Sequence, residues 1–221
     1  VSVVVPVRNG ARFLREALDS VVENGYAPFE IVVVDGHSTD GSAEIARAYR
    51  AVRWMLQDGA GLADAWNTGI RAAAGELIAF LDSDDVWLPG KLPAQVAYLA
   101  AHPEAAGVVG QGVFFAEPGV SVRRRFGRGD LERPRVAYLP SALLARRTLF
   151  DAVGAFDTRL AIASDIDWFA RVKDAGQTLG VLPRLVVRKR VHDRNLSVAD
   201  LASTNRELLE ALRRSVRRQG R

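Results

Sequence analysis

Apolar and polar positions follow two periods along the first hundred residues. Residues 1–5 form a β-branched run closed by Pro6 and read as a strand. Phe13, Leu14, Ala17, Leu18, Val21 and Val22 recur at helical spacing, which predicts a helix over 11–23. Further strands are predicted at 29–34, 52–56 and 77–81. Helices are predicted at 42–49, capped by Asp40 or Ser42, at 62–74 and at 92–101. This β-α-β-α-β-α-β order predicts an α/β fold: a mostly parallel central sheet with helices on both faces.

Beyond about Ala105 the pattern changes. Residues 106–115 predict a strand, Pro118-Gly119 a turn, and 120–126 a strand returning as a hairpin. The charged, irregular stretch 127–134 reads as a mobile loop. Helices follow at 148–153 and 166–175, then an extended segment over 179–191 broken near Pro183, and a basic helix over 198–218. Without repeats or a low-complexity linker, the chain divides into a first half (1–105), a second half sharing its sheet (106–196) and a C-terminal helix (197–221).

At 221 residues and 48% hydrophobic, the chain can bury a full core. The absence of cysteine excludes disulfides and thiolate metal sites. No apolar run approaches the roughly 20 residues of a spanning helix, and no signal peptide is visible. The chain opens on a strand without Met, as a slightly trimmed chain would. The expected place is the cytoplasm or the inner face of its membrane. A net charge of +4, with Arg far outnumbering Lys, suits phosphate-bearing ligands or an anionic surface. Aromatic–basic interleaving is lacking, so nucleic acid is not an expected partner.

The strongest chemical signal is Asp82-Ser83-Asp84-Asp85 after an apolar strand. Clustered carboxylates repel and are costly to desolvate unless a cation joins them. A hard divalent ion with oxygen ligands meets that need, and extended spacing lets Asp82 and Asp84 point together. A solvated turn is the plain alternative. Position decides between them: Asn9, Asp35, Asp58 and the acidic run each follow one of the first four strands. In a parallel sheet these loops share one edge, where open α/β folds bind ligands. Acid there suits a metal-bridged diphosphate. Gly-x-Gly-x-x-Gly is missing after the first strand, which argues against a dinucleotide oxidoreductase.

The stretches Val3-Val-Val-Pro-Val-Arg-Asn-Gly10, Ile31-Val-Val-Val-Asp-Gly-His-Ser-Thr-Asp-Gly-Ser42, Gly61-Leu-Ala-Asp-Ala-Trp-Asn-Thr-Gly-Ile70 and Phe80-Leu-Asp-Ser-Asp-Asp85 resemble the family 2 glycosyltransferases of GT-A, Rossmann-related fold. The likeness spans about 1–101 and, more loosely, 149–175. It implies that Pro6, Val7 and Asn9 line the nucleobase and that Asp35, in an exposed loop after the second strand, hydrogen-bonds it. It implies that Asp64 and Asn67 join the donor site, with Asp82 and Ser83 toward the ribose and Asp84 and Asp82 on the metal, Mn2+ or Mg2+. Gly36 stands where the common pattern has a second acid.

The implied reaction moves a sugar from a nucleotide-diphosphate donor, expected to be UDP-linked, to an acceptor hydroxyl with inversion. Attack at an oxocarbenium-like carbon from the opposite face needs a base. In Ala163-Ser-Asp-Ile-Asp-Trp-Phe169 the resemblance puts Asp165 on the base position, whereas Ser164 or Asp165 as a helix N-cap is the structural alternative. Asp167 is expected to support the helix terminus or to make a contact behind the site residues. Arg188, Arg190 and His192 could close over the diphosphate, or decorate an edge strand. Trp66 and Trp87 are expected in the core, His37 at the surface, and Arg123–Arg125 on a charged hairpin face. Leu201, Leu208, Leu209, Leu212 and Val216 form an apolar stripe on the last helix, to be covered by the body, a second copy or lipid. The acceptor is left open between saccharide, lipid-linked glycan and peptide. Competing readings are a sugar-phosphate nucleotidyltransferase and a non-catalytic nucleotide-sugar-binding or partner-recruiting module.

Overall fold

Every residue of β1 (Ser2–Val7) is buried, as a strand covered on both faces requires. The computed structural model describes residues 1–120, 131–193, 195 and 201–220, so the predicted return strand over 120–126 and the Arg123–Arg125 face lie almost wholly outside the described residues. The elements after β1 are α1 (Ala11–Val22), β2 (Glu30–Asp35), α2 (Ser42–Arg47), β3 (Val52–Leu56), α3 (Leu62–Ala72), β4 (Leu77–Phe80), β5 (Val86–Trp87) and α4 (Lys91–Ala101). Then come β6 (Gly107–Ala116), β7 (Arg135–Val136), a 3-10 turn Pro140–Ala142, β8 (Leu143–Arg146), α5 (Arg147–Val153), α6 (Ser164–Asp174), β9 (Leu179–Val191) and α7 (Leu201–Gln219).

Among the described residues the strands form one sheet in the order β3-β2-β1-β4-β8-β6-β9-β5, with β7 on β6. Strands β1 to β4 are parallel, so their C-terminal ends share an edge. The second half is mixed: β8 runs antiparallel to β4 and β6, while β9 runs parallel to β6 and brings its end toward the acidic loop. Side chains of β1 alternate between two cores. Val3, Val5 and Val7 pack with Leu14 and Leu18 of α1 and Leu92 of α4, whereas Val4 packs with Trp66 and Ile70 of α3. A Cβ at Gly69 would sit 2.1 Å from a Val4 methyl, so only glycine lets α3 lie this close.

Pro6 lies inside β1 instead of ending it. Pairing of β1 with β4 stops at Val4, so little ladder remains there to need the missing N–H. The predicted break at Pro183 is a register shift within β9, between the Val109↔Val181 and Gln111↔Leu185 pairs. Helix α7 packs along α6. Ala211 is buried on that face, while Leu209, Leu212 and Val216 are 54%, 59% and 70% exposed. The expected stripe is therefore not covered by the body at these three positions. No helix of the described residues is long and apolar enough to cross a membrane.

Candidate active site

The acidic loop is built from the end of β4. Leu81 donates its N–H to Val4 O at 3.0 Å, and Asp85 N–H closes a turn on Asp82 O at 3.0 Å. Ser141 Oγ accepts from Asp82 N–H at 3.1 Å and donates to Asp85 Oδ2 at 2.9 Å. The end of β9 supplies the cations. Lys189 Nζ lies 3.0 Å from Asp82 Oδ2 and 3.1 Å from Asp85 Oδ2. His192 Nε2 lies 2.9 Å from Asp84 Oδ2, which also accepts from Asn195 Nδ2 at 3.1 Å.

The three acids have different environments. Asp85 is fully buried, and both its oxygens accept, Oδ1 from Arg190 N–H and Oδ2 from Ser141 and Lys189. Burial, opposed by Lys189 and reinforced by Asp84 and Asp82, pushes its carboxyl up to about 7. Burial likewise raises Asp82 against the pull of Lys189. Burial opposes charge on Asp84 too, but the His192 hydrogen bond and the Lys189 charge outweigh it and hold the carboxyl below its usual range. Lys189 is held well above its usual value: burial disfavours its charge, and Asp85, Asp82 and Asp84 together overcome that.

Oxygen donors for a hard cation are present. Ligand atoms of Asp82, Asp84 and Asp85 lie within 4.8 Å of one another. Asp82 Oδ1 is buried without a hydrogen-bond partner, an acceptor that a cation would satisfy. With Asp85 spent on the fold, Asp82 and Asp84 are the residues that fit a divalent ion.

Asp165 stands in the first turn of α6, and its Oδ1 accepts from Ile166 N–H at 2.8 Å. The N-cap position belongs to Ala163, with no side-chain cap, so neither Ser164 nor Asp165 takes that role. Burial raises Asp165 to about 6; Ile166 N–H lowers it, Asp82 raises it and Lys189 lowers it. Asp82 and Lys189 are thus the charged groups that act on Asp165. Asp167 is buried and pairs with Arg171 at 2.9 Å, supporting the helix as expected.

Other predicted donor residues fall differently. Asp35 is 1% exposed rather than in an exposed loop; Oδ1 accepts from Ser38 N–H at 2.8 Å and Oδ2 from the Trp54 indole at 3.2 Å. Asn67 is buried and gives both ends of its amide to the backbone of Phe156, at 2.8 and 2.9 Å. It clamps α3 to a distant loop. Arg190 is engaged within the protein. Its guanidinium is buried over Phe13 and Phe115, pairs with Glu16 and Glu117, and donates to Asp84 O, so it straps the acidic loop. Asn9, at φ 51°, accepts from Thr39 N–H, and Asp64 accepts from Gln57 and Gly59 N–H. Pro6 and Val7 are buried, and Ser83 is half-buried beside Gly10, where a Cβ would lie 3.1 Å from Ser83 Oγ. Trp66 and Trp87 are core residues, and His37 is exposed. Surface hollows of about 610 and 630 Å3 lie elsewhere, lined by none of the acidic-loop carboxylates.

Sequence reasoning missed Lys189, Ser141 and Asn195. Strand alternation was the available signal for Lys189, since neighbours in β9 face opposite ways; Ser141 reaches the site only through β8 pairing, which no local pattern announces.

The family model for glycosyl transferase family 2 matches residues 2–160. The chain belongs to that family. An uncharacterized glycosyltransferase of Rickettsia typhi is 29% identical over 87% of this chain and 64% of its own length. The glycosyltransferase AglE of Haloferax volcanii is 31% identical over 81% of this chain and 63% of its own. Among solved structures, Staphylococcus aureus TarS 1-349 in complex with UDP-GlcNAc superposes with TM-score 0.72 at 21% identity, covering 90% of this chain and 60% of that one. The mannosyltransferase PcManGT of Pyrobaculum calidifontis, in complex with GDP-Man and Mn2+, gives 0.74 at 24% identity over 98% and 64%. The fold is therefore that of the GT-A glycosyltransferases, and this family-2 chain spans less than two thirds of the length of these relatives. The family assignment displaces the nucleotidyltransferase reading.

Proposed function

We propose that this chain transfers a sugar from a nucleotide-diphosphate donor, UDP-linked, to an acceptor hydroxyl with inversion at the anomeric carbon. The observation that carries this reading is the meeting of two groups of acids. Ligand atoms of Asp82, Asp84 and Asp85 lie within 4.8 Å of one another, Asp82 Oδ1 is buried without a partner, and Asp165 stands in the first turn of α6, where the Asp82 charge acts on it. The names of structural neighbours support a nucleotide-sugar donor: one is complexed with UDP-GlcNAc, another with GDP-Man and Mn2+.

In the proposed reaction the acceptor oxygen attacks the anomeric carbon as the bond to the diphosphate breaks, and the diphosphate leaves with the electron pair. Asp165 takes the acceptor proton; at about 6, its carboxyl is ionised at neutral pH yet basic enough to receive it. Asp82 and Asp84 would hold Mn2+ or Mg2+, which supplies Lewis-acid stabilisation of charge on the departing diphosphate. His192 and Asn195 fix the rotamer of Asp84, and Lys189 keeps Asp82 beside Asp85. Arg190 acts indirectly by holding the loop.

The test is a thermal-shift panel of UDP-glucose, UDP-N-acetylglucosamine and GDP-mannose, with and without Mn2+, followed by assay of nucleotide release. Binding raises stability with ln(1 + [L]/Kd). A metal-dependent shift with UDP-sugars and slow release of UDP is expected. A shift without turnover would leave a binding module, and a larger shift with GDP-mannose would reassign the nucleotide.

A further inference from the structure

We infer that Glu207 of α7 is a positioning residue for Asp165, holding the turn from which the base projects. This rests on the reading of Asp165 as base. The turn before α6 is Ala161-Ile162-Ala163, three residues with no polar side chain. A helix start needs acceptors for its free N–H groups, and Ala163 at the N-cap has none to offer. A carboxylate from another helix instead accepts at the N-cap amide and at the two amides before it. Glu207 Oε1 accepts from Ala161 N–H at 3.1 Å, and Oε2 from Ile162 N–H at 2.8 Å and Ala163 N–H at 3.0 Å. Three successive amides converging on one anion form an ordered concavity, and hydrogen bonds to an ionised acceptor are the strong kind. The negative charge also suits the N-terminus of α6.

This clamp ends two residues before Asp165, whose own side-chain bond reaches only the adjoining Ile166 N–H. Its placement therefore depends on the backbone. Helix α7 is in turn braced on the far end of α6, where Asp174 receives Ser215 at 3.0 Å and Arg218 at 2.7 Å. Arg214 ties it to Asp157 at 2.9 Å. It is a strut along α6 with one working contact at the catalytic end. The strut lies beyond residue 160, where the family match ends.

The experiment compares Glu207→Ala, Glu207→Gln, Asp165→Asn and Arg218→Ala. It measures donor affinity, turnover as nucleotide release from the panel sugar with the largest shift, and amide exchange. Glu207→Ala is expected to speed exchange at Ala161–Ala163 and lower kcat by about 10–100-fold, as small misplacements of a reacting group do, with donor Kd unchanged. Glu207→Gln, which keeps an acceptor and the helix, should fall between; it carries the test if the alanine variant does not fold. Arg218→Ala removes the far-end bond to Asp174 and a 3.7 Å approach to Asp167, but should leave amide exchange at Ala161–Ala163 unchanged, since those amides rest on Glu207. Unchanged kcat in both Glu207 variants beside an inactive Asp165→Asn overturns the clamp and leaves the base standing. An equal loss in Arg218→Ala overturns it in favour of general helix docking. Full turnover in Asp165→Asn removes the base reading, and the clamp's purpose with it.

Discussion

The two halves of the sheet use their polar residues differently. In the parallel half, Asp35, Asn67, Asp64 and Asn9 are spent on the fold or on neighbouring loops: they tie strand ends to helices and to one another. In the mixed half, β9 and α6 bring Lys189, His192 and Asp165 to an acidic loop that still has an unsatisfied oxygen. The parallel half builds a rigid shelf, and the mixed half brings in the remaining reactive groups. Substitutions should therefore separate: losses of stability on the shelf, losses of chemistry across from it.

The largest expected effect tests the chemical side. Asp165→Asn keeps size and shape but cannot take a proton. Turnover should fall by about 10²–10⁴-fold, the usual worth of a general base, with donor and metal affinity intact. Nucleotide release from the panel donor, set beside calorimetric donor affinity, reads both. Near wild-type turnover would reduce Asp165 to a first-turn acid.

Asp84→Ala comes next. It removes one of two proposed metal ligands, so metal-dependent donor affinity should drop at least as far as the roughly 10–100-fold lost with an outer-shell partner. EDTA should reproduce the loss in the wild type. Calorimetry showing equal donor affinity with and without EDTA would take the metal out of the mechanism.

How far the comparison could be read from sequence follows the same division. Strands β1 and β2 announce themselves as apolar β-branched runs, β3 and β4 as shorter apolar stretches, and α1 and α3 by their periodicity, because burial leaves a local imprint. Asp82 and Asp84 are conspicuous for a related reason: acids closing an apolar strand ask for a partner, whereas Asp165 was reached through the family resemblance and by its own residues reads as a helix cap. Lys189 has only the alternation of its strand to mark it, and Arg190 stands out as a cation without showing what it holds. Their roles are fixed by the pairing of β9 with β6, which links residues some 75 positions apart (Phe114↔Lys189, Phe115↔Arg190). Strand β8 runs straight into α5 without a turn residue between them, so no local break marks it as a strand. Asn67 and Asp35 were reached through the family likeness, which carries no sign of their bonds to Phe156, Ser38 and Trp54.

The pH dependence sharpens the chemical side more gently. Asp165 acts ionised, and its carboxyl stands at about 6. Turnover should rise with pH about tenfold per unit below that value and level off above it. The linkage to folding has the opposite sign: because the folded value lies above the unfolded one, burying Asp165 costs stability increasingly as pH rises from about 4 through about 6. A rate profile flat between pH 5 and 7 would disconnect Asp165 from the rate-limiting proton transfer.

The shelf side is tested by Asn67→Ala. It leaves Phe156 N–H and C=O buried without their partner, at about 1–3 kcal/mol for each group left unsatisfied. For a chain of this size each 1 kcal/mol lowers Tm by about 2–4 °C. Melting curves should show a clear drop, whereas donor Kd at a temperature where the variant is folded should match the wild type. Asp35→Ala should behave alike in stability, since its two bonds hold the end of β2. A variant with unchanged Tm and lost donor binding would move that residue from the shelf to the site.

The smallest effect belongs to the exposed face of α7. Val216 is 70% exposed, and Leu209 and Leu212 line the same stripe with Arg213 and Arg217 exposed beside it. In an isolated monomer Val216→Gln touches nothing buried, so stability should stay within about 0.5 kcal/mol, as for surface changes generally. Any larger consequence must come from something that covers the stripe. A second copy would show as a concentration-dependent sedimentation coefficient abolished by the substitution. An anionic bilayer would show as salt-sensitive binding to phosphatidylserine vesicles that the substitution weakens. Packing against protein is the expected outcome, because the helix already rests on α6 through polar contacts and Ala211, leaving a narrow stripe suited to one further helix. Salt-resistant binding to neutral vesicles would overturn that order and make the stripe a lipid-facing surface.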